Sequence, residues 1–318
     1  MTTKIYAPVV IPTLNRYEHL KRCIESLKEC TGADKTDLVI SIDYPPAEKY
    51  VEGHKKIKQY LPTIKGFHSV VILETNTNIG AVKNCLKLYS YVKRQGLNKC
   101  IFSEDDNEFS PNFLEYINNG FMEYNEDSSV MAICGYVHPK IHVQGCERFL
   151  GDMFSAWGVG MWLDRQFTYQ RIGNDNYLYG VLNSWQKSLK LFRMRPESLQ
   201  GFLSMHFKGE TYGDVFKTAE LLLEDKWCVE PTLSKVRNTG HDGSGINCNE
   251  MTNDIYAKQV IDERSFFIDN TTKLNKVRIV SLIRISLVRK AIIFLRYLVF
   301  RLLNKDVLKL YYISKNKS

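Results

Sequence analysis

The sequence predicts an α/β fold, a Rossmann-like and mostly parallel sheet with flanking helices. Strand-like and helix-like segments alternate over the first 136 residues, the pattern of a doubly wound sheet. The residues that carry chemistry follow strand ends, where such sheets gather their ligands. With 318 residues, 44% hydrophobic and 25% charged, the chain can bury a sizeable core and is not disordered.

Val9-Val10-Ile11 is a short apolar strand ended by Pro12-Thr13, after which Leu20, Cys23, Ile24 and Leu27 recur at helical spacing. A second strand, 38–43, ends in Asp43 before the Pro45-Pro46 turn. A basic helical stretch runs to Leu61, and a third strand covers 69–73. The polar loop 75–80 enters a helix over 81–93. The fourth strand runs out at Glu104, a helix spans 111–124 behind Ser110-Pro111-Asn112, and 130–136 is a fifth strand. Beyond it come a glycine-punctuated aromatic stretch at 149–162, a helical region near 185–192, a helix through Leu223, and a last strand at 227–231.

The net charge of +8 is uneven, with a large share in the last fifty residues, which points to a basic tail and away from a nucleic-acid-binding body. The eight cysteines form no C-x-x-C pair or metal spacing, and several lie in apolar runs, as reduced core thiols of a cytosolic protein would. Residues 1–14 hold one lysine and an apolar run broken by Pro8 and Pro12, which does not read as a signal peptide.

The sequence is organised around Glu104-Asp105-Asp106 at the end of the fourth strand. On an extended backbone Glu104 and Asp106 point one way and Asp105 the other. Carboxylates this close repel unless a cation sits among them. Oxygen ligands suit Mg²⁺ or Mn²⁺, which is held by one or two carboxylates plus substrate phosphates. A solvated acidic turn ahead of the next helix is the alternative.

Five segments stand in order across roughly residues 7–245: Val10-Ile11-Pro12-Thr13-Leu14-Asn15-Arg16; Ser41-Ile42-Asp43; Asn78-Ile79-Gly80-Ala81-Val82-Lys83-Asn84; the acid triplet followed by Pro111-Asn112-Phe113; and Ser155-Ala156-Trp157-Gly158-Val159-Gly160-Met161-Trp162. In this arrangement the chain resembles GT-A class nucleotide-sugar glycosyltransferases, in particular the bacterial family-two-like enzymes and the animal N-acetylglucosaminyltransferase I group. Glu in place of the first Asp of the commoner D-x-D leaves the sugar open.

The resemblance implies a metal-dependent inverting hexosyl transfer from a nucleotide-sugar, a UDP-sugar being the expected donor. The acceptor would be a saccharide or lipid-linked molecule, in assembly of bacterial surface polysaccharide such as capsule or O-antigen. Residues 1–136 would be the donor half, 137–250 the acceptor and catalytic half of the same domain, and 251–318 a helical, membrane-associating tail.

The donor would be held by Pro12, Thr13, Asn15, Arg16, Asp43, Asn78, Lys83, Glu104 and Asp105, and the metal, Mn²⁺ or Mg²⁺, by Asp106 with Glu104 and His241 as further ligands. Arginine suits a diphosphate because its guanidinium pairs in bidentate fashion; the other reading of Arg16 is a surface charge. Asp43 would accept from a uracil-type ring N–H, or else open the Pro45-Pro46 turn. Trp157 and Trp162 are an acceptor platform or core packing. The base would be Asp214, with Glu210 in reserve; an aspartate at a helix start is also a common cap.

The tail, 276–310, mixes apolar runs with arginines, too charged to span a bilayer and suited to lying on the inner face of the cytoplasmic membrane. Packing on the domain or on a partner is its alternative, and assembly as a homo-oligomer stays open as a separate expectation. Arg278, Arg289 and Arg296 project together at helical spacing, but Arg284 and Lys290 do not. Two rival classes remain: a sugar-phosphate nucleotidyltransferase, which would want a glycine-rich loop where Pro12-Thr13-Leu14-Asn15-Arg16 stands, and a non-catalytic membrane-associated scaffold of the same fold.

Overall fold

The computed structural model describes residues 6–165, 175–209, 211–244, 253–269, 274–279 and 285–306. The chain divides into two compact units. The first takes residues 1–151, 155–166 and 227–277, and the second takes 152–154, 167–226 and 278–318. The C-terminal segment is therefore shared: 251–277 belongs to the first unit, the rest to the second.

The first unit is built on a sheet whose strands run, edge to edge, Lys276–Val277, Arg148–Gly151, Trp227–Pro231, Val130–Cys134, Val159–Trp162, Lys99–Phe102, Val9–Thr13, Asp37–Ile42 and Ser69–Glu74. Its founding strands are β1 (Val9–Thr13), β2 (Asp37–Ile42), β3 (Ser69–Glu74) and β4 (Lys99–Phe102), all paired in parallel. Val9, Val10, Ile11, Leu38 and Ile40 are fully buried, as β-branched and aliphatic side chains of a strand covered on both faces should be. The connecting helices are α1 (Tyr17–Lys28), α2 (Val51–Tyr60) and α3 (Ala81–Arg94). Helix α1 buries Leu20, Cys23, Ile24 and Leu27 along one stripe, and α3 packs on β1, β2 and β4.

Past β4 the order departs from the sequence expectation. Strand β4 stops at Phe102, residues 105–106 form a tight turn, and a short strand β5 (Asn107–Phe109) leaves it. The acid triplet is thus turned, not extended, and the alternation expected of its side chains does not occur. Helix α4 (Phe113–Glu123) and β6 (Val130–Cys134) follow.

The glycine-punctuated aromatic stretch is bounded by two strands, β7 (Arg148–Gly151) and β8 (Val159–Trp162). β8 inserts antiparallel between β4 and β6, and α4 packs over β6 and β8. β9 (Trp227–Pro231) pairs parallel to β6, and β11 (Lys276–Val277) extends the edge on β7. Five of the sheet's eight pairings are parallel, which keeps the expected class. A separate ribbon joins β5 to β10 (Val236–Asn238).

The second unit is helical: α5 (Asp175–Asn183), α6 (Trp185–Met194), α7 (Pro196–Lys208), α8 (Gly213–Leu223) and α9 (Leu287–Leu303). Its core is aliphatic and aromatic, with Leu182, Leu191, Leu199, Phe202 and Leu221 buried. Five of the seven described cysteines are buried. Burial pushes the Cys30 thiol up to about 12, the condition of an inert structural thiol.

Candidate active site

The carboxyl ends of β1, β2 and β4 supply the groups. Thr13, the last residue of β1, donates its hydroxyl to Asp105 Oδ2 at 2.7 Å. Arg16 follows as α1 begins, and its guanidinium reaches both carboxylates of the turn: one nitrogen meets Asp105 Oδ1, the other lies 2.7 Å from Asp106 Oδ2. The turn after β4 makes this convergence possible, since an extended backbone would have sent the two side chains apart. Asp105 is 6% exposed and Asp106 5%, so both charges depend on the arginine.

Burial is the largest influence on Asp105 and raises its carboxyl above the usual range; Arg16 pulls it down and Asp106 pushes it up. Burial likewise works against the Arg16 cation, yet the two carboxylates hold it above its ordinary value.

A segment from far along the chain closes this cluster. Asn238, the end of β10, donates to Asp106 Oδ1 at 2.6 Å and to Asn107 Oδ1 at 3.1 Å. Thr239 N and Oγ1 donate to the Asp106 carbonyl at 2.9 and 3.1 Å. Gly240 lies so near that a Cβ there would stand 2.0 Å from Asp106 Oδ2 and 3.1 Å from Arg16 Nη1. His19 on α1 faces the Thr239 carbonyl at 3.3 Å and Asp242 Oδ2 at 3.2 Å.

Beyond Gly240, His241 stacks on Tyr256 with centroids 4.8 Å apart and meets Trp157 edge-on at 5.8 Å. Trp157 is half-buried and also touches Tyr136 at 4.6 Å, so it stands in an aromatic group beside the closing segment. Trp162 lies in β8 at 2% exposure, edge-on to Phe121 at 4.9 Å; it is core, not platform.

Asp43, the residue after β2, is 4% exposed and fully engaged by the chain itself. Its Oδ1 accepts from Tyr44 N, Thr75 Oγ1 and Ile79 N at 2.9, 2.9 and 3.0 Å. Its Oδ2 accepts from Asn78 Nδ2 and Gly80 N at 3.1 and 2.8 Å. Asp43 therefore shapes the 75–80 loop, a task the sequence reading did not assign it, and five donors already fill the acceptor sites expected for a base N–H. Asn78 is part of this staple, and Lys83 is exposed on the first turn of α3. Asn15 and Pro12 flank the clamp half-buried, and the Asn15 carbonyl lies where Gly53 would carry a Cβ, 2.0 Å away.

Asp214 belongs to the second unit, exposed in the first turn of α8; the cap position of that helix is Tyr212. Glu210 falls outside the described residues. In the sequence, Asn238, Thr239 and Gly240 fall in a flexible loop, 238–245, that resembles the donor-closing segment of GT-A enzymes. Their duty at Asp106 is set by contacts across more than 130 residues and has no local signal.

The two carboxylates, which meet on the Arg16 guanidinium, offer the oxygen atoms and negative charge that suit a hard divalent cation once the arginine gives way. Among the described residues no group of three or more His, Cys, Asp or Glu side chains could hold a metal, so the expected further ligands Glu104 and His241 do not complete a cage. A cation held here would complete its shell with oxygen atoms of water or of a bound phosphate.

Residues 9–180 match the family model described as glycosyl transferase family 2. No curated protein matches the chain. Among solved structures, the mannosyltransferase PcManGT from Pyrobaculum calidifontis, in complex with GDP-Man and Mn²⁺, is 12% identical, with a TM-score of 0.36 over 54% of this chain and 47% of that one. S. aureus TarS is 12% identical, with a TM-score of 0.34 over 49% of this chain and 28% of that one. Its 1–349 form is 13% identical, with a TM-score of 0.36 over 49% and 47%. The chain spans about half or less of the length of these structures. Because the matching stretch is more than half of the 318 residues, the protein belongs to glycosyl transferase family 2.

Proposed function

We propose that the protein transfers a sugar from a nucleotide-sugar, a UDP-sugar in the first instance, to a hydroxyl of a saccharide or lipid-linked acceptor. The observation that carries this reading is the convergence of Arg16, Asp105 and Asp106 at the carboxyl ends of β1 and β4, closed by Gly240. A guanidinium at that point, already set between two carboxylates, suits a diphosphate, to which arginine pairs in bidentate fashion. Asp43 fixes the 75–80 loop beside the nucleotide, and Trp157 offers an aromatic face to a sugar ring.

In the proposed reaction the acceptor oxygen attacks the anomeric carbon from the face opposite the nucleotide. The new C–O bond forms as the bond from that carbon to the diphosphate breaks, and the diphosphate leaves with the electron pair, inverting the centre. Asp214 is the proposed base that takes the acceptor's proton. Arg16 turns from its carboxylates to the departing diphosphate and stabilises the charge it gains. Asp106, with Asp105 beside it, is the proposed seat of Mg²⁺ or Mn²⁺, which when bound would neutralise further phosphate charge. The C-terminal basic segment is the proposed point of contact with a membrane surface, where a lipid-linked acceptor for surface polysaccharide would be met.

The test is a thermal-shift screen of UDP-, GDP- and dTDP-sugars with Mn²⁺, followed by slow donor hydrolysis as a signal of catalysis. A ligand that binds only the folded state raises its melting temperature according to its affinity. One nucleotide class should stand out and be hydrolysed; a flat response to all three would leave a fold without this function.

A further inference from the structure

In the second unit, helix α9 turns Arg296 and Arg301 inward and carries six exposed aliphatic side chains, with Arg289 exposed near its start. Arg296 is 3% exposed and pairs in bidentate fashion with Asp306, Nε to Oδ1 at 2.9 Å and Nη2 to Oδ2 at 2.8 Å, and its Nη1 donates to Ser204 Oγ of α7 at 3.0 Å. Arg301 donates to Asn183 Oδ1 at the end of α5 at 2.8 Å and lies over the Trp185 ring at 5.4 Å. Ile293, Tyr297 and Phe300 complete the buried face.

The opposite face carries Leu287, Val288, Ile292, Leu295, Leu302 and Leu303, exposed by 82, 70, 49, 53, 78 and 61%. At ~100° per residue these six fall within roughly 160° of the helix circumference, and no charged residue shares that arc. Such a face on a soluble surface marks an interaction site. Arg296 and Arg301 bolt the helix from within, while Arg289 stays exposed and Lys290 half-buried beside the aliphatic arc.

We infer that α9 is a preformed seat for an anionic lipid bilayer, its aliphatic arc entering the acyl boundary while basic side chains around it meet the headgroups. The inference rests on the membrane reading of the C-terminal segment and on none of the transfer chemistry. Charge selects the occupant. Residues 276–318 hold eleven lysines and arginines against one acid, Asp306, and the rest of the chain is net acidic. A second copy would bring the same positive segment against itself, whereas an anionic leaflet complements it. No described helix is long and apolar enough to cross a membrane, so α9 lies along the surface. Because Arg296 and Arg301 hold the helix in place from within, its outward face exists before any lipid is met.

The test is flotation of the full chain with phosphatidylcholine vesicles and with vesicles containing about one-third phosphatidylglycerol. Ile292→Glu and Leu295→Glu are the test variants, and Leu97→Glu, an exposed leucine of the first unit, is the control. The chain should bind the anionic vesicles at least tenfold better than the neutral ones. Each α9 variant should lose at least tenfold, the control should lose nothing, and the far-ultraviolet helical signal should stay constant on binding.

Undiminished binding of both α9 variants would overturn the inference while sparing the membrane reading. No binding of the parent chain to either vesicle would remove both. A dimer in solution that Leu295→Glu splits would assign the face to a second copy, and a rise in helical signal on vesicles would show that the seat is not preformed.

Discussion

At the scale of single residues, the clamp depends on contacts that tolerate no added atom. Gly240→Ala places a methyl 2.0 Å from Asp106 Oδ2, so Asp106 or the closing segment must move. Overpacking of this kind costs about 1–3 kcal/mol, and nucleotide affinity measured by calorimetry should fall at least fivefold; unchanged affinity would place the donor elsewhere. Asp43→Ala removes the acceptor of the Ile79 and Gly80 amides. Leaving such donors unsatisfied costs about 1–3 kcal/mol each when buried, and hydrogen exchange of those two amides should accelerate while the β2 amides stay protected. Asp214→Ala should lower turnover by about two to four orders of magnitude with donor affinity kept; full activity would move the base to another group. Arg16 and Asp106 were legible in the sequence because each follows a strand end. The facing of Asp105 was not: the turn at 105–106 carries neither glycine nor proline, so nothing local signals that two neighbouring acids will point together.

At the scale of elements, the ribbon of β5 and β10 carries the closing segment, and a buried ion pair anchors it. Lys235, just before β10, is 1% exposed and pairs with Asp262, which also accepts from Arg264 Nε and from Asn112 Nδ2 at 3.0 Å. Burial pulls the Lys235 ammonium below its ordinary value, while burial of Asp262 is outweighed by donors from Arg264, Lys235 and Asn112, which hold it below the usual carboxylate range. A depressed carboxylate contributes stability that is complete above its unfolded value near 4 and drains away as pH falls beneath it. Asp262→Asn should therefore cost about 3–5 kcal/mol near neutral pH, and its gap from the parent in urea midpoint should narrow below about pH 4; a gap independent of pH would assign the cost to packing. The founding strands β1 to β4 and helices α1 and α3 were readable from their apolar spacing. β8 was not, because Val159–Trp162 is four residues long and has a glycine within it, so its place between β4 and β6 is fixed by pairing partners and not by its own pattern.

At the scale of the molecule, a mostly parallel sheet in one unit gathers the ends of β1, β2 and β4, and a helical unit carries α9 with its aliphatic face outward. Sequence alone located the basic, apolar tail, but only packing shows which side each residue takes, since Arg296 finds Asp306 ten residues on and Ser204 on another helix. Family membership agrees with the sheet, and the clamp at Arg16, Asp105 and Asp106 is where the proposed chemistry meets it. Calorimetry of UDP, GDP and dTDP binding with Mn²⁺, on the parent and on Asp106→Ala, tests that claim most directly. One nucleotide should bind the parent in a metal-dependent way and lose at least tenfold in the variant; equal affinity with and without the Asp106 carboxylate would contradict the account.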